Sequence, residues 1–222
     1  MAFRMRPRTL DEIVGQDHLL AKGSVLRRLI EQDALTSMIL YGPPGIGKTS
    51  LARIIAEHTK AAFVQLQAVA AGVTDIRKMG ADAAARLKYY QQKTILFVDE
   101  VHRFNKSQQD VLLPIVEEGT IILIGATTEN PLYEINNALL SRVRLYVMKG
   151  LDEDAINKIT NRALFDSERG LGKYGISLDD KARRLIVEHA KGDARTALNI
   201  LETLTNSSDT SRPLHLSEAD VA

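Results

Sequence analysis

Ser37 to Thr49, SMILYGPPGIGKT, is a short apolar run that breaks into a glycine-rich loop closing on Lys-Thr. It fits the phosphate-binding template G-x-x-x-x-G-K-[ST] through Gly42, Gly47, Lys48 and Thr49. In such a loop Gly42, Gly45 and Gly47 let the backbone curve round a β-phosphate with its N–H groups inward. The helix opening near Lys48 adds its positive end. Pro43, Pro44 and Ile46 complete the loop and Ser50 follows it, so residues 42–50 form the candidate nucleotide-binding set. Lys48 is suited to reach β- and γ-phosphates, and the Thr49 hydroxyl to hold Mg²⁺, which takes few protein ligands. At average residue usage a chain of this size matches the template by chance roughly once in a hundred times. Met38 to Tyr41 also reads as a buried strand and Ser50 to His58 as an amphipathic helix, the context the template requires.

Upstream, Arg4, Arg6 and Arg8 alternate with apolar or proline residues, and Pro7 favours an extended opening. A helix is expected from Asp17 to Ile30, with Gly23 able to divide it in two. Downstream, strands are expected over Ala62 to Gln65, Lys93 to Val98, Ile121 to Gly125 and Val143 to Met148. Helices are expected over Asp75 to Tyr90, broken at Gly80, from Asn105 to Glu118, kinked at Pro114, and over Asn136 to Ser141. Five strands separated by helices imply an α/β fold with a mostly parallel sheet and a ligand at the carboxyl ends of its strands. After Gly150 the strand pattern stops. Helices over Asp154 to Phe165, Asp179 to Ala190 and Ala194 to Leu204 predict a small all-helical domain at 151–222 beyond an α/β domain at 1–150. Asn206 to Pro213 reads as a polar loop. Ser217 to Asp220 reads as the first turn of a helix cut off by the end of the chain, which suggests truncation.

The 222 residues are 45% hydrophobic and 26% charged, enough for one good core with a small satellite. A formal charge of +1 gives no broad pull towards nucleic acid, so a DNA partner has to rest on other grounds. The absence of cysteine excludes disulfides and thiolate metal sites. No apolar stretch has membrane-spanning length and MAFRMRPRTL lacks a signal-peptide core, so the expectation is a soluble cytoplasmic protein with no membrane partner.

Asp99 and Glu100 follow the apolar run of the third strand, in the pattern of a Walker B pair. Alternation along a strand sends the two carboxylates opposite ways, so Asp99 is assigned to Mg²⁺ and Glu100 to the attacking water. Thr128, past the fourth strand, is placed to hold that water or the γ-phosphate, or is a turn hydroxyl. Arg142 and Arg195 stand open between surface ion pairs, Arg195 with Asp193, and contacts to a γ-phosphate in trans and in cis. The five histidines show no metal-ligand spacing; His102, two residues past Glu100, is the one to watch.

Several segments together resemble the replication-associated recombination protein A family of AAA+ ATPases, which includes the Werner helicase-interacting ATPase as a eukaryotic relative. They are RMRPRTLDEIVGQDHLL (Arg4 to Leu20), LQAVAAGVTDIR (Leu66 to Arg77), DEVHRFNKSQQDVLLPIVEEG (Asp99 to Gly119), IGATTENP (Ile124 to Pro131) and ERGLG (Glu168 to Gly172). The resemblance implies an AAA+ domain with a helical lid, ATP and Mg²⁺, and an adenine pocket near Arg6, Ile13, Val14 and Gln16. It makes Thr128 the sensor-1 residue, Arg142 an arginine finger in trans and Arg195 the sensor-2 residue of the lid. It implies a DNA-dependent ATPase of replication-fork maintenance and recombination, associated with the nucleoid, acting on DNA with single-stranded regions or ends alongside replication and recombination proteins. Family members continue into a domain that makes the tetramer, so a tetramer is expected of the longer protein and a monomer of the chain to Ala222. Two rivals remain: a clamp-loader-type ATP switch that places or unloads a protein on DNA, and a phosphotransferase using the same loop.

Overall fold

The computed structural model describes residues 1–206 and 215–221. Its main sheet is five-stranded and wholly parallel, in the order β2-β3-β4-β1-β5. The strands are β1 (Met38–Tyr41), β2 (Ala62–Gln67), β3 (Thr94–Asp99), β4 (Ile122–Thr127) and β5 (Arg144–Val147). β3 and β4 lie inside the sheet and are apolar without alternation, as strands covered on both faces should be; β2 and β5 are the edges and are partly exposed.

The helices of this part are α1 (Asp17–Leu20), α2 (Val25–Glu31), α3 (Lys48–Thr59), α4 (Val73–Tyr90), α5 (Lys106–Glu117), α6 (Pro131–Glu134) and α7 (Asn137–Leu140). Ile39, Leu96, Val98 and Leu123 of the strands share a core with Ile76, Met79 and Ala83 of α4 and Leu112 and Val116 of α5. α3 packs on β2, β3 and β4. On β2 and β3 the rings of Phe63 and Phe97 stack at 6.0 Å, with the Arg53 guanidinium 5.1 Å above Phe63.

Local chemistry explains most boundaries. Asn105 and Gln108 exchange two hydrogen bonds at the start of α5, closing the expected capping box. Asn136 Oδ1 receives the Leu139 N–H at the start of α7. Gly23 does divide the helix after Asp17 in two. The expected break at Gly80 does not occur, because a Cβ there would lie 2.7 Å from Ile115 Cδ1. Glycine is where Ile115 of α5 packs against α4, and helix propensity yields to that packing. α5 runs through Pro114 to Glu117. α6, which the periodicity does not announce, opens with proline at its first position behind an Asn130 cap.

Past β5 come α8 (Glu153–Phe165), the strand β6 (Ser177–Leu178), α9 (Asp180–Ala190), α10 (Ala194–Asn206), β7 (His215–Leu216) and α11 (Glu218–Val221). The first three of these helices match the expected ones, and the last matches the helix expected at Ser217 to Asp220. The short parallel pair β6–β7 has no counterpart among the expected elements. The polar loop expected at Asn206 to Pro213 lies, after Asn206, outside the described residues. The chain divides into two compact units, one of Met1–Gly15, Pro43–Gly47 and Lys149–Ala222, the other of Gln16–Gly42 and Lys48–Met148. The first thus gathers the opening segment and the tip of the glycine-rich loop with α8 to α11.

Candidate nucleotide site

In the sheet-bearing unit, three neighbouring strands end in chemistry. β1 runs into Gly42, β4 ends at Thr127 and β3 ends at Asp99, and the parallel register aligns Tyr41 with Thr127. The Gly42 N–H donates to the Thr127 carbonyl at 3.1 Å, which anchors the start of the loop to the end of β4. Lys48 opens α3. Its side chain is buried and its Nζ donates to the Gly42 carbonyl at 2.7 Å, so the ammonium is directed back over the start of the loop. Thr49 and Asp99 are both half-buried. A hydroxyl and a carboxylate oxygen suit Mg²⁺, which completes its shell from phosphate and water. Among the described residues no group of three or more His, Cys, Asp or Glu side chains could hold a metal ion.

Glu100 departs from the expectation of a strand-end carboxylate. β3 stops at Asp99, and Glu100 adopts a left-handed backbone, φ 55°, ahead of the 3-10 turn Val101–Arg103. That conformation costs a non-glycine residue roughly 1–2 kcal/mol. Strand alternation therefore does not determine where its carboxylate points. His102 Nε2 lies 3.4 Å from Glu100 Oε2. Thr128 is half-buried just beyond β4. Arg142, exposed after α7, donates to the Ala138 carbonyl at 2.7 Å and to Ser141 Oγ at 2.8 Å, and pairs with the Glu117 carboxylate of α5. Gln16 is almost wholly buried at the N-terminus of α1.

In the other unit, residues 43–47 carry the loop tip. Gly45 has φ 69°, and a Cβ built on it would meet Asp193 Oδ1 at 1.8 Å. Only glycine fits there on both counts. Asp193 Oδ1 also receives the backbone N–H groups of Arg195 (2.7 Å) and Thr196 (3.2 Å), so it caps α10 while lying against the loop. Where an ion pair with the Arg195 side chain was one expectation, the carboxylate takes the backbone instead. The Ala194 N–H donates to the Gly45 carbonyl at 3.3 Å, and Arg195 is exposed in the first turn of α10.

The opening segment belongs to this unit too. The Arg6 guanidinium lies 4.8 Å over the Phe3 ring, Ile13 is buried and Val14 half-buried. Glu12, just before them, is held by Arg169 at 3.0 Å, by the Arg8 N–H at 3.1 Å, and by Arg162 Nη1, which donates to its carbonyl at 2.8 Å. Arg169 also pairs with Asp166 at 2.8 Å. Burial pushes the Glu12 carboxyl up, but the bonds from Arg169 and Arg8 outweigh it and hold the group below its usual range. The backbone and side-chain bonds from Arg169 bring Asp166 down to about 2. Two segments that the sequence singled out separately, RPRTLDE and ERGLG, are thus one ion-pair network.

A family model described as the Holliday junction DNA helicase RuvB P-loop domain matches residues 5–143. The chain is similar to replication-associated recombination protein A of Coxiella burnetii, 55% identical over 93% of this chain and 46% of that protein. The protein of that name from Escherichia coli K12 is 51% identical over 93% and 46%. The ATPase WRNIP1 of Dictyostelium discoideum is 44% identical over 91% of this chain and 23% of that protein. The chain spans about half the length of the bacterial relatives it matches. The Thermotoga maritima RuvB Holliday junction branch migration motor shares the fold, with a TM-score of 0.78 at 24% identity over 98% of this chain and 71% of that one. The chain therefore belongs to the RuvB-type AAA+ P-loop ATPases and, among them, to the replication-associated recombination protein A family, whose AAA+ portion it matches.

Proposed function

We propose that this chain binds and hydrolyses ATP as the motor part of a DNA-dependent ATPase of replication-fork maintenance and recombination, with turnover coupled to DNA remodelling. The observation that carries the reading is the alignment of Gly42, whose carbonyl holds the Lys48 ammonium, with Asp99–Glu100 and Thr127–Thr128 just at or past the ends of three adjacent parallel strands. Lys48 and the loop N–H groups bind the phosphates. Thr49 and Asp99 would hold Mg²⁺, which neutralises charge on the β- and γ-oxygens when bound. Glu100 orients the attacking water and takes its proton, and Thr128 contacts the water or the γ-phosphate. Arg195 acts on the same subunit's nucleotide and Arg142 on a neighbour's, while Arg6, Ile13, Val14 and Gln16 contact adenine. DNA with single-stranded regions or ends is the proposed effector, as the family resemblance implies; the relatives' shared name speaks only of replication and recombination.

Substituting Glu100→Gln tests the assignment of the base. ATP affinity should persist while turnover falls by about 10²- to 10⁴-fold. Unchanged turnover with ATP still bound would remove Glu100 from the mechanism. ATP hydrolysis measured with and without forked or gapped DNA tests the effector.

A further inference from the structure

Glu100 has a neighbour that the mechanism above does not use. The His102 side chain is only 12% exposed, with Nε2 3.4 Å from Glu100 Oε2 and Nδ1 2.9 Å from Thr127 Oγ1. Thr127 is fully buried at the end of β4, and its Oγ1 accepts the Glu129 N–H at 3.0 Å. The same oxygen lies 3.2 Å from the Glu129 carbonyl. His102 therefore stands between the carboxylate and the turn that carries Thr128.

The protons can be assigned from this network. A neutral ring with its proton on Nδ1 would turn the Nε2 lone pair towards a carboxylate oxygen, two acceptors face to face. With the proton on Nε2, the ring turns an N–H towards the Glu100 carboxylate 3.4 Å away, and Nδ1 accepts the single Thr127 hydroxyl proton. An imidazolium keeps the same Nε2–H donor and donates to Thr127 from Nδ1. Every favourable state thus presents an N–H to Glu100. The left-handed backbone at Glu100 removes the direction that strand pleating would have supplied, and this donor replaces it.

We infer that His102 is a positioning residue for hydrolysis: it holds the Glu100 carboxylate in its working direction and ties that direction to Thr127 and the turn after β4. The inference rests on the proposed role of Glu100. Asn at 102 can place an amide nitrogen near the site of Nδ1, and Gln near the site of Nε2, so the two substitutions separate the two contacts. In the full protein, His102→Ala and His102→Asn should lower kcat for ATP by about tenfold to a hundredfold with KM within about twofold, and His102→Gln should restore most of it. Nitrogen-15 NMR of the ring should show the Nε2–H form, and Thr127→Val should shift its Nδ1 resonance.

Wild-type kcat in His102→Ala would overturn the inference. So would rescue by Asn equal to that by Gln, which would leave only the Thr127 contact in play, or an Nδ1–H ring in the wild type. If His102→Ala does not fold, the Asn–Gln comparison and the NMR of the wild type decide. Full turnover in Glu100→Gln would instead remove the base assignment, while the ring spectrum would still report the bond.

Discussion

Arg169→Ala should loosen the segment that leads into Ile13 and Val14. The Arg169 side chain is 13% exposed and Glu12 26%, and the pair is 3.0 Å apart. A hydrogen bond between charged groups contributes about 1.5–3 kcal/mol net, and the partial exposure of Glu12 puts this one towards the lower end. Arg162 stays 3.9 Å from the Glu12 carboxylate and offsets part of the loss. The expected destabilisation is about 2 kcal/mol, or about 4–8 °C in Tm for a chain of this size. Urea unfolding followed by circular dichroism should show a lower midpoint at unchanged m-value. A double-mutant cycle with Glu12→Ala should give a coupling of about 1 kcal/mol.

The same network sets a pH signature. Both carboxyls sit lower in the folded chain than their ordinary values of 4.5 for Glu12 and 3.8 for Asp166, which falls to about 2. A depressed carboxyl stabilises the fold fully above its unfolded value and loses that stabilisation as pH falls through its folded value. The gap in stability between wild type and Arg169→Ala should therefore be constant near neutral pH and close between about pH 4 and 2. Additive single substitutions, or a gap that persists at low pH, would show that the network does not tie the two segments together.

The other predictions concern the loop and the arginines. Lys48→Ala should weaken ATP binding by roughly 10- to 150-fold in titration calorimetry, the range for losing one charge-assisted bond; near-native affinity would contradict the phosphate role. Gly45→Ala combines a strained φ of 69° with a clash against Asp193, so it should lower both thermal stability and ATP affinity. If it does neither, Asp193 does not pack on the loop in solution. For Arg142, subunits carrying Arg142→Ala and subunits carrying Glu100→Gln should each be slow alone. Mixed in a protein long enough to assemble, they should regain turnover where an intact arginine faces an intact glutamate, and no regain would make the finger act in cis.

What could be read from the sequence was local. The run Met38 to Tyr41 before a glycine loop, the apolar run Ile95 to Val98 of β3 and the Asn105–Gln108 box depend on residues a few positions apart, and all appear as expected. What could not be read depends on partners far along the chain. Gly80 looks like a helix breaker because Ile115, which requires its small size, is on another helix. The bond between Glu12 and Arg169 spans 157 positions, so ERGLG could be recognised but not explained. Strand alternation does not set the direction of Glu100, because a left-handed turn at a non-glycine residue leaves no trace in composition or periodicity.

A common arrangement links the charged groups assigned to the phosphates and to the attacking water. Lys48 rests on the Gly42 carbonyl, Glu100 faces the His102 ring, and Arg142 pairs with Glu117. Each partner comes from the chain itself. The Glu117–Arg142 pair is well exposed on both sides, and exposed pairs of this kind contribute only about 0–1 kcal/mol. A triphosphate, with several negative charges close together, would attract an arginine more strongly than one exposed carboxylate does. The pairing with Glu117 therefore keeps the arginine directed without holding it back. His102 differs: its ring is mostly buried and anchored on a fully buried threonine, so displacing it would strand polar groups away from water. Of the two side-chain partners it is the one built to stay in place during turnover, which is why its removal should alter kcat where the loss of Glu117 should not.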